Sequence, residues 1–249
     1  MAAVQAQRRT LIDVAVPGTG LLRDVALVIG FAVFTAVAAQ ISFLPPAWFV
    51  NAFAFIGIPI QGTPVPVTAQ TLAVGITGAA LGSKRGASSL LLYMLAGMAG
   101  LPVFAGSWGA IFSGKADFGT TGGSLWSDIP FWMLPSGGYV VGFILAAYLI
   151  GWLAERGSDR KPWRIALALV GGNAVVYLAG LPWLYAVLSQ RPALAMDLAK
   201  TLQFGLWPFI PGDVLKIALA TGVLPGAWAL LKRRSKSRQE TARQPTFRS

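Results

Sequence analysis

The fold is decided by an apolar stretch at residues 135–155, PSGGYVVGFILAAYLIGWLAE. Its first charged residue is Glu155, at the end of the stretch. A helix rises about 1.5 Å per residue, so about 20 apolar residues cross the roughly 30 Å hydrocarbon core of a bilayer with their backbone groups hydrogen-bonded internally. The stretch therefore predicts a transmembrane helix.

Five further stretches have a similar apolar character. Together with the first they predict six transmembrane helices, at 24–44, 67–82, 86–104, 135–155, 163–186 and 212–231. Of the 249 residues, 55% are hydrophobic and 12% are charged, about half the charge of an ordinary soluble domain. We therefore predict an all-α integral membrane protein with a six-helix membrane domain at 24–231 and tails at 1–23 and 232–249.

Two connections are too irregular to be continuous spans. Residues 45–66 are apolar but hold five prolines, which break a helix, so we interpret this segment as a re-entrant loop. Residues 105–134 form a long connection rich in Gly, Ser and Asp. Within it, GAIFSGKA (109–116) matches the start of a phosphate-binding loop, but Ala116 stands where a Mg²⁺-binding Ser or Thr is required. We expect no ATP site in this chain.

The positive charges orient the predicted helices. The chain has 20 Lys and Arg against 9 Asp and Glu. In the six-helix topology sixteen of these cations fall on one side, and only Lys115, Arg191 and Lys200 fall on the other. Because Lys and Arg concentrate on the cytoplasmic side of membrane proteins, we predict that both termini are cytoplasmic. The basicity is then a matter of topology, and we expect a lipid bilayer rather than a nucleic acid as its partner.

One acid and one base lie within the predicted helices away from their cytoplasmic ends. Asp213 and Lys216 are three residues apart, on one face near the outer start of the last span. Ionisable groups inside a membrane are costly and often mark a substrate path. The alternative is an interfacial helix cap at Asp213, with Lys216 extending along its stem towards solvent.

Other polar or small residues lie towards the same outer side. They are Thr68, Gln70 and Thr71 in the second span, Gly137, Gly138 and Tyr139 in the fourth, and Asn173 and Tyr177 in the fifth. Taken singly, each is compatible with helix packing. Taken together, they outline a cavity for a small polar molecule with an apolar body.

Two small residues of the first span, Ala32 and Ala36, stand four apart. Such a pair allows another helix to approach closely. It indicates either docking of a separate membrane subunit or packing inside the bundle. The chain has no His and no Cys, which removes the commonest metal ligands and catalytic groups. We therefore expect no catalytic residue, metal or cofactor.

Five strings resemble the BioY family of biotin-specific substrate-binding (S) components of energy-coupling factor transporters. They are PVPVTAQTLAV (64–74), GSKRGASSLLLYMLAGMAGLPVFAG (82–106), PSGGYVVGFILAAYLIG (135–151), GLPWL (180–184) and PFIPGDVLK (208–216). The resemblance covers about residues 25–230. It implies the six-helix S-component fold, in the bacterial inner membrane.

The resemblance also implies a ligand and partners. Biotin would be held near the outer face by Asp213 and Lys216, with Thr68, Gln70, Thr71 and the Gly137–Tyr139 segment as further pocket parts. A transmembrane coupling subunit and cytoplasmic ABC-type ATPases would drive transport. Two alternatives stay open: an S component for another vitamin, and a membrane-embedded enzyme that uses Asp213 and Lys216 as acid and base.

The charge asymmetry makes the topology testable in this Cys-free chain. Single cysteines at positions 120 and 238 should differ, because the first lies in the predicted external loop and the second in the cytoplasmic tail. We expect an impermeant maleimide added to intact cells to label position 120 and to leave position 238 unlabelled until the cells are lysed. Labelling at 238 but not at 120 would show that the orientation is inverted.

Overall fold

The computed structural model describes residues 10–42, 65–105 and 130–243. Nearly all of the re-entrant segment expected at 45–66, and most of the 105–134 loop with residues 109–116, lie outside the described residues. The described part is almost entirely helical, with an isolated β-bridge between Ser42 and Thr68.

Eight α-helices follow one another in the described part. They are α1 (Leu11–Ala15), α2 (Leu21–Gln40), α3 (Gln70–Leu81), α4 (Ser83–Met98), α5 (Gly137–Ala154), α6 (Pro162–Ser189), α7 (Leu198–Gly205) and α8 (Ile210–Arg243). Two helices cross the predicted domain boundaries: α2 begins at Leu21, and α8 continues beyond residue 231. α1 lies inside the predicted N-terminal tail.

Four of these helices are long and apolar enough to cross a membrane: α2, α5, α6 and Ile210–Arg233 of α8. α3 is apolar but has 12 residues, which makes it about 18 Å long. α4 has 16 residues and begins with Lys84 and Arg85 in its first turn. The all-α membrane class is therefore confirmed, whereas the count of six crossings and the side of each terminus stay predictions.

The bundle is built around α5, which is the most buried of these four helices and packs against α3, α4 and α6. Glycines let the helices approach closely. A Cβ on Gly78 of α3 would lie 2.6 Å from the carbonyl oxygen of Ala147, and one on Gly142 of α5 would lie 2.8 Å from the Cα of Val176. Such close approach brings the polar residues on α3 and α6 within reach of one cavity.

The α3–α4 turn is held by specific contacts. Gly82 has a φ of +87°, a conformation that favours glycine. Glu155 at the end of α5 accepts hydrogen bonds from the backbone N–H and the hydroxyl of Ser83, at 2.7 and 2.9 Å. This carboxylate caps the first turn of α4, whose N–H groups otherwise lack helical partners.

The N-terminal segment is tied to this end of the bundle. The Arg85 Nη2 lies 2.8 and 2.9 Å from the two carboxylate oxygens of Asp13, and its Nη1 lies 3.0 Å from Asp24. Burial by itself raises the pKa of the Asp13 carboxyl, but hydrogen bonds from Thr10 and Arg85 outweigh this effect and hold the pKa below its usual value. Part of the predicted N-terminal tail is therefore an ordered contact of the bundle.

Because α5 packs closely against α6, adding one methyl group to α5 at this contact should lower the stability of the protein. A Cβ on Gly138 would lie 2.7 Å from the carbonyl oxygen of Ala179 and would also meet Trp183. We expect Gly138→Ala to lower the free energy of unfolding by about 1–3 kcal/mol, as overpacking does. The matched control is Gly30→Ala on α2, where a Cβ would meet nothing within 4 Å.

The measurement is thermal unfolding of both variants in detergent, followed by tryptophan fluorescence. An equal Tm for Gly138→Ala and Gly30→Ala would contradict the packing assigned to Gly138.

Candidate functional site

Asp213 and Lys216, in the first two turns of α8, form a buried ion pair. Their exposed fractions are 4% and 7%, and Lys216 Nζ lies 3.4 Å from Asp213 Oδ1. The pairing predicted from their i,i+3 spacing is confirmed. The snorkelling alternative does not fit this geometry, because the ammonium is directed into the protein.

Two other helices supply partners to this pair. Thr71 of α3 donates to Asp213 Oδ1 at 3.0 Å and accepts from Lys216 Nζ at 2.9 Å. Tyr177 of α6 donates its hydroxyl to Asp213 Oδ2. The carboxylate thus receives donors from three helices, as a charge removed from water requires. We call Asp213, Lys216, Thr71 and Tyr177 the charged cluster.

One N–H group of the Lys216 ammonium has no hydrogen-bond partner among the described residues. The ammonium carries three N–H groups, and its partners there are Thr71 and Asp213. Lys216 also lines the cavity beside the cluster. The site can therefore offer a ligand a cationic donor directly beside an anionic acceptor.

A second, neutral cluster lies at the start of α3. Thr68 donates to the Gln70 Oε1 at 2.7 Å, and the Gln70 Nε2 donates to the Tyr93 hydroxyl at 2.7 Å. All three side chains are buried. Tyr93 of α4 was not among the predicted pocket residues. The single phenol within LLLYMLAGM was a signal for it, because a buried Tyr hydroxyl needs a hydrogen-bond partner.

The two clusters border one cavity with mostly apolar walls. Its volume is about 40 Å³, enough for a few water molecules. The described residues that line it are Val65, Pro66, Thr68, Gln70, Thr71, Phe104, Ala105, Ser136, Tyr139, Val140, Phe143, Val176, Tyr177, Phe209 and Lys216. A ligand of vitamin size can therefore enter only if part of this wall moves.

Tyr139 lies in the cavity wall, as predicted. Its ring stacks on Phe209 with centroids 6.2 Å apart and meets Tyr177 edge-on at 6.4 Å. Its hydroxyl donates to the carbonyl oxygen of Gly205 at 2.9 Å. This bond ties α5 to α7 and holds the ring against the cavity.

Gly137 and Gly138 have a different place from the one expected. They contact Trp183 of α6, and a Cβ on Gly137 would lie 2.9 Å from its Cζ2. Neither glycine is among the described cavity-lining residues. Their role in this structure is close packing of α5 against α6, because only a residue without a side chain fits beside the indole.

Asn173 also lies away from the described lining. It is partly buried, one helical turn from Tyr177 on α6. Six of the ten predicted pocket residues line the cavity: Thr68, Gln70, Thr71, Tyr139, Tyr177 and Lys216. Asp213 is not among the described lining residues, but it is hydrogen-bonded to three residues that are.

Ala32 and Ala36 are buried within this chain, with exposed fractions of 7% and 6%. They belong to the apolar core that also contains Tyr93 and Phe104. α2 packs through this face against α4 and α3. The burial favours the internal-packing alternative over docking of a separate subunit at these two residues.

The fold and the site define a membrane-embedded binding protein for a small molecule that has an apolar body and polar groups. The profile of the BioY family matches residues 44–233. The chain belongs to this family.

Similar proteins and a solved structure support this family membership. The chain is 32% identical to "Biotin transporter BioY" of Rhizobium etli over 80% of this chain and 89% of that protein. It is 33% identical to "Probable biotin transporter BioY" of Pyrococcus horikoshii, over 80% and 91%. A crystal structure of the S-component for biotin from an ECF-type ABC transporter matches with a TM-score of 0.57 and 19% identity, covering 88% of this chain and 95% of that chain. This match confirms the S-component fold.

The charged cluster predicts an unequal effect of single and double substitutions on stability. Lys216→Met leaves the buried Asp213 carboxylate without its counter-charge, which commonly destabilises by about 3–5 kcal/mol. The double variant Asp213→Asn/Lys216→Met has no net charge to bury, so we expect its Tm to lie above that of Lys216→Met. Thermal unfolding in detergent measures both, and a double variant less stable than Lys216→Met would contradict the ion pair.

Proposed function

We propose that this chain is the biotin-binding membrane subunit of a biotin uptake transporter. The observation that carries the proposal is the buried Asp213–Lys216 pair beside an apolar cavity that Lys216 lines, in a member of a family whose relatives are named biotin transporters. The subunit captures biotin at the outer face and performs no covalent chemistry on it.

The chemistry of biotin suits the charged cluster. Its ureido ring offers two N–H donors and one carbonyl acceptor, and its valerate chain ends in a carboxylate. Asp213 can accept from a ureido N–H, while the remaining N–H of Lys216 donates to the ureido carbonyl. The acceptor and the donor stand side by side, 3.4 Å apart, in the arrangement that a ureido group requires.

The valerate carboxylate belongs at another part of the cavity. Placed at the charged cluster, it would be repelled by Asp213, a like charge in a poorly solvated site. The neutral cluster of Thr68, Gln70 and Tyr93 offers uncharged polar groups instead. The aromatic wall between the clusters, with Phe104, Phe143 and Phe209, packs on the fused rings.

Transport requires partners. We propose a transmembrane coupling subunit and cytoplasmic ABC-type ATPases in a bacterial inner membrane, because the S-component whose structure this chain resembles comes from an ECF-type ABC transporter. The sequence supports ATP hydrolysis on other chains, because the only phosphate-loop-like string, 109–116, lacks its Mg²⁺ ligand.

The site predicts how biotin affinity depends on the pair. Asp213→Asn replaces a charged acceptor with an amide, and loss of a charge-assisted hydrogen bond costs about 1.5–3 kcal/mol. We expect biotin binding to weaken about 10- to 150-fold. Lys216→Met, which keeps most of the stem, should weaken binding to a comparable degree.

Isothermal titration with detergent-purified protein measures these affinities. The matched control is Asp197→Asn at the start of α7, where Asn also caps a helix well and the side chain does not line the cavity. Wild-type affinity in both pair variants would refute the site. Binding of another vitamin but not of biotin by the wild-type chain would refute the ligand.

A further inference from the structure

α8 is attached to the bundle differently along its two halves. From residue 210 to residue 219, the buried side chains of α8 are those of Asp213 and Lys216, and their apolar neighbours such as Val214 and Leu215 are exposed. The outer half, residues 210–219, is therefore held by the hydrogen bonds of the charged cluster together with the partly buried Ile217, which packs against an apolar core.

The inner half of α8 is held by apolar contacts and an indole hydrogen bond. Ala220, Leu224 and Trp228 are buried, and the first two belong to the same apolar core as Ile165 of α6. Trp228 donates its indole N–H to Asp159, which is 1% exposed in the α5–α6 turn. This half is thereby anchored to the α5–α6 end of the bundle.

Residues 221–226, around the buried Leu224, lack features that make a helix rigid. Pro225 has no N–H, so the carbonyl of Thr221 lacks its helical hydrogen bond. A Cβ on Gly222 or Gly226 would meet nothing within 4 Å. These glycines are not needed for close packing within the chain, and glycine weakens a helix relative to alanine.

We propose that α8 bends at residues 221–226, and that its outer half is the part of the cavity wall that moves when ligand enters and leaves. The proposal rests on the proposed function for its ligand. From Pro225 to Asp213 is about 18 Å along the helix, so a bend of about 10° moves Asp213 by roughly 3 Å. A shift of this size widens a cavity whose volume is about 40 Å³.

Ligand binding can loosen the outer half selectively. Asp213 already accepts from Thr71, Tyr177 and Lys216, so a ureido N–H competes with these donors and replaces one hydrogen bond by another. A polar ligand cannot replace the apolar contacts of Leu224 and Trp228. The exchange of hydrogen bonds therefore frees the outer half, while the inner half stays anchored.

Stiffening the segment should slow exchange of the ligand without changing its affinity much. We expect Gly222→Ala and Gly226→Ala each to slow both binding and release of tritiated biotin about fivefold, with the Kd within about twofold of wild type. The matched control is Gly30→Ala on α2, where a Cβ also meets nothing within 4 Å, and its rates should equal those of the wild type. Rates for both α8 variants equal to those of Gly30→Ala would overturn the proposal.

Distances between spin labels test the bend directly, because the chain has no native Cys. The outer pair is Val214→Cys with Leu178→Cys on α6, and the inner pair is Leu230→Cys with Leu167→Cys. All four positions are more than 60% exposed. By double electron–electron resonance we expect biotin to change the outer distance and to leave the inner one unchanged. An outer distance that does not respond to bound biotin would overturn the proposal.

A ligand-free measurement separates this proposal from the proposed function. Without biotin, the outer pair should show a broader distance distribution than the inner pair, and Gly222→Ala/Gly226→Ala should narrow it. If wild-type protein binds no biotin, the proposed function fails, and this comparison still decides the bend. Equal widths for both pairs would refute it.

Discussion

The buried carboxylate of Asp213 is the group on which the arrangement of the site depends. A charge in a low-dielectric interior must be surrounded by donors, and here they come from Thr71 of α3, Tyr177 of α6 and Lys216 of α8. Meeting this requirement fixes the first turns of α3 and α8 against the middle of α6. The same groups border the cavity, so the interaction that holds the helices together is also the one available to a ligand.

Close packing of small residues makes this convergence possible. α5 lies at the centre of the bundle because glycines such as Gly78 and Gly142 allow backbone to approach backbone. The helices around it are consequently near enough for single hydrogen bonds to cross between them. Gly138, beside Trp183, contributes to the site only indirectly, by setting the distance between α5 and α6.

The geometry of α8 suggests how a member of the BioY family can bind a ligand while the helix stays attached to the bundle. Near Asp213 this helix is held by polar contacts, and from Ile217 onward mainly by apolar ones. A ligand with both polar groups and an apolar body can exchange the first kind of contact without disturbing the second. In the proposed bend of α8, recognition and movement depend on the same hydrogen bonds.

The sequence by itself determined the all-α membrane class, the family and the Asp213–Lys216 pair, because hydropathy, charge placement and i,i+3 spacing are local properties of the chain. Only the tertiary structure decided which polar residues share the cavity. Tyr93 enters the site and Asn173 does not, and Ala32 turns inward, because these outcomes depend on how each helix is rotated against its neighbours. Packing sets that rotation, and in membrane helices that are apolar on most sides the sequence pattern specifies it only weakly.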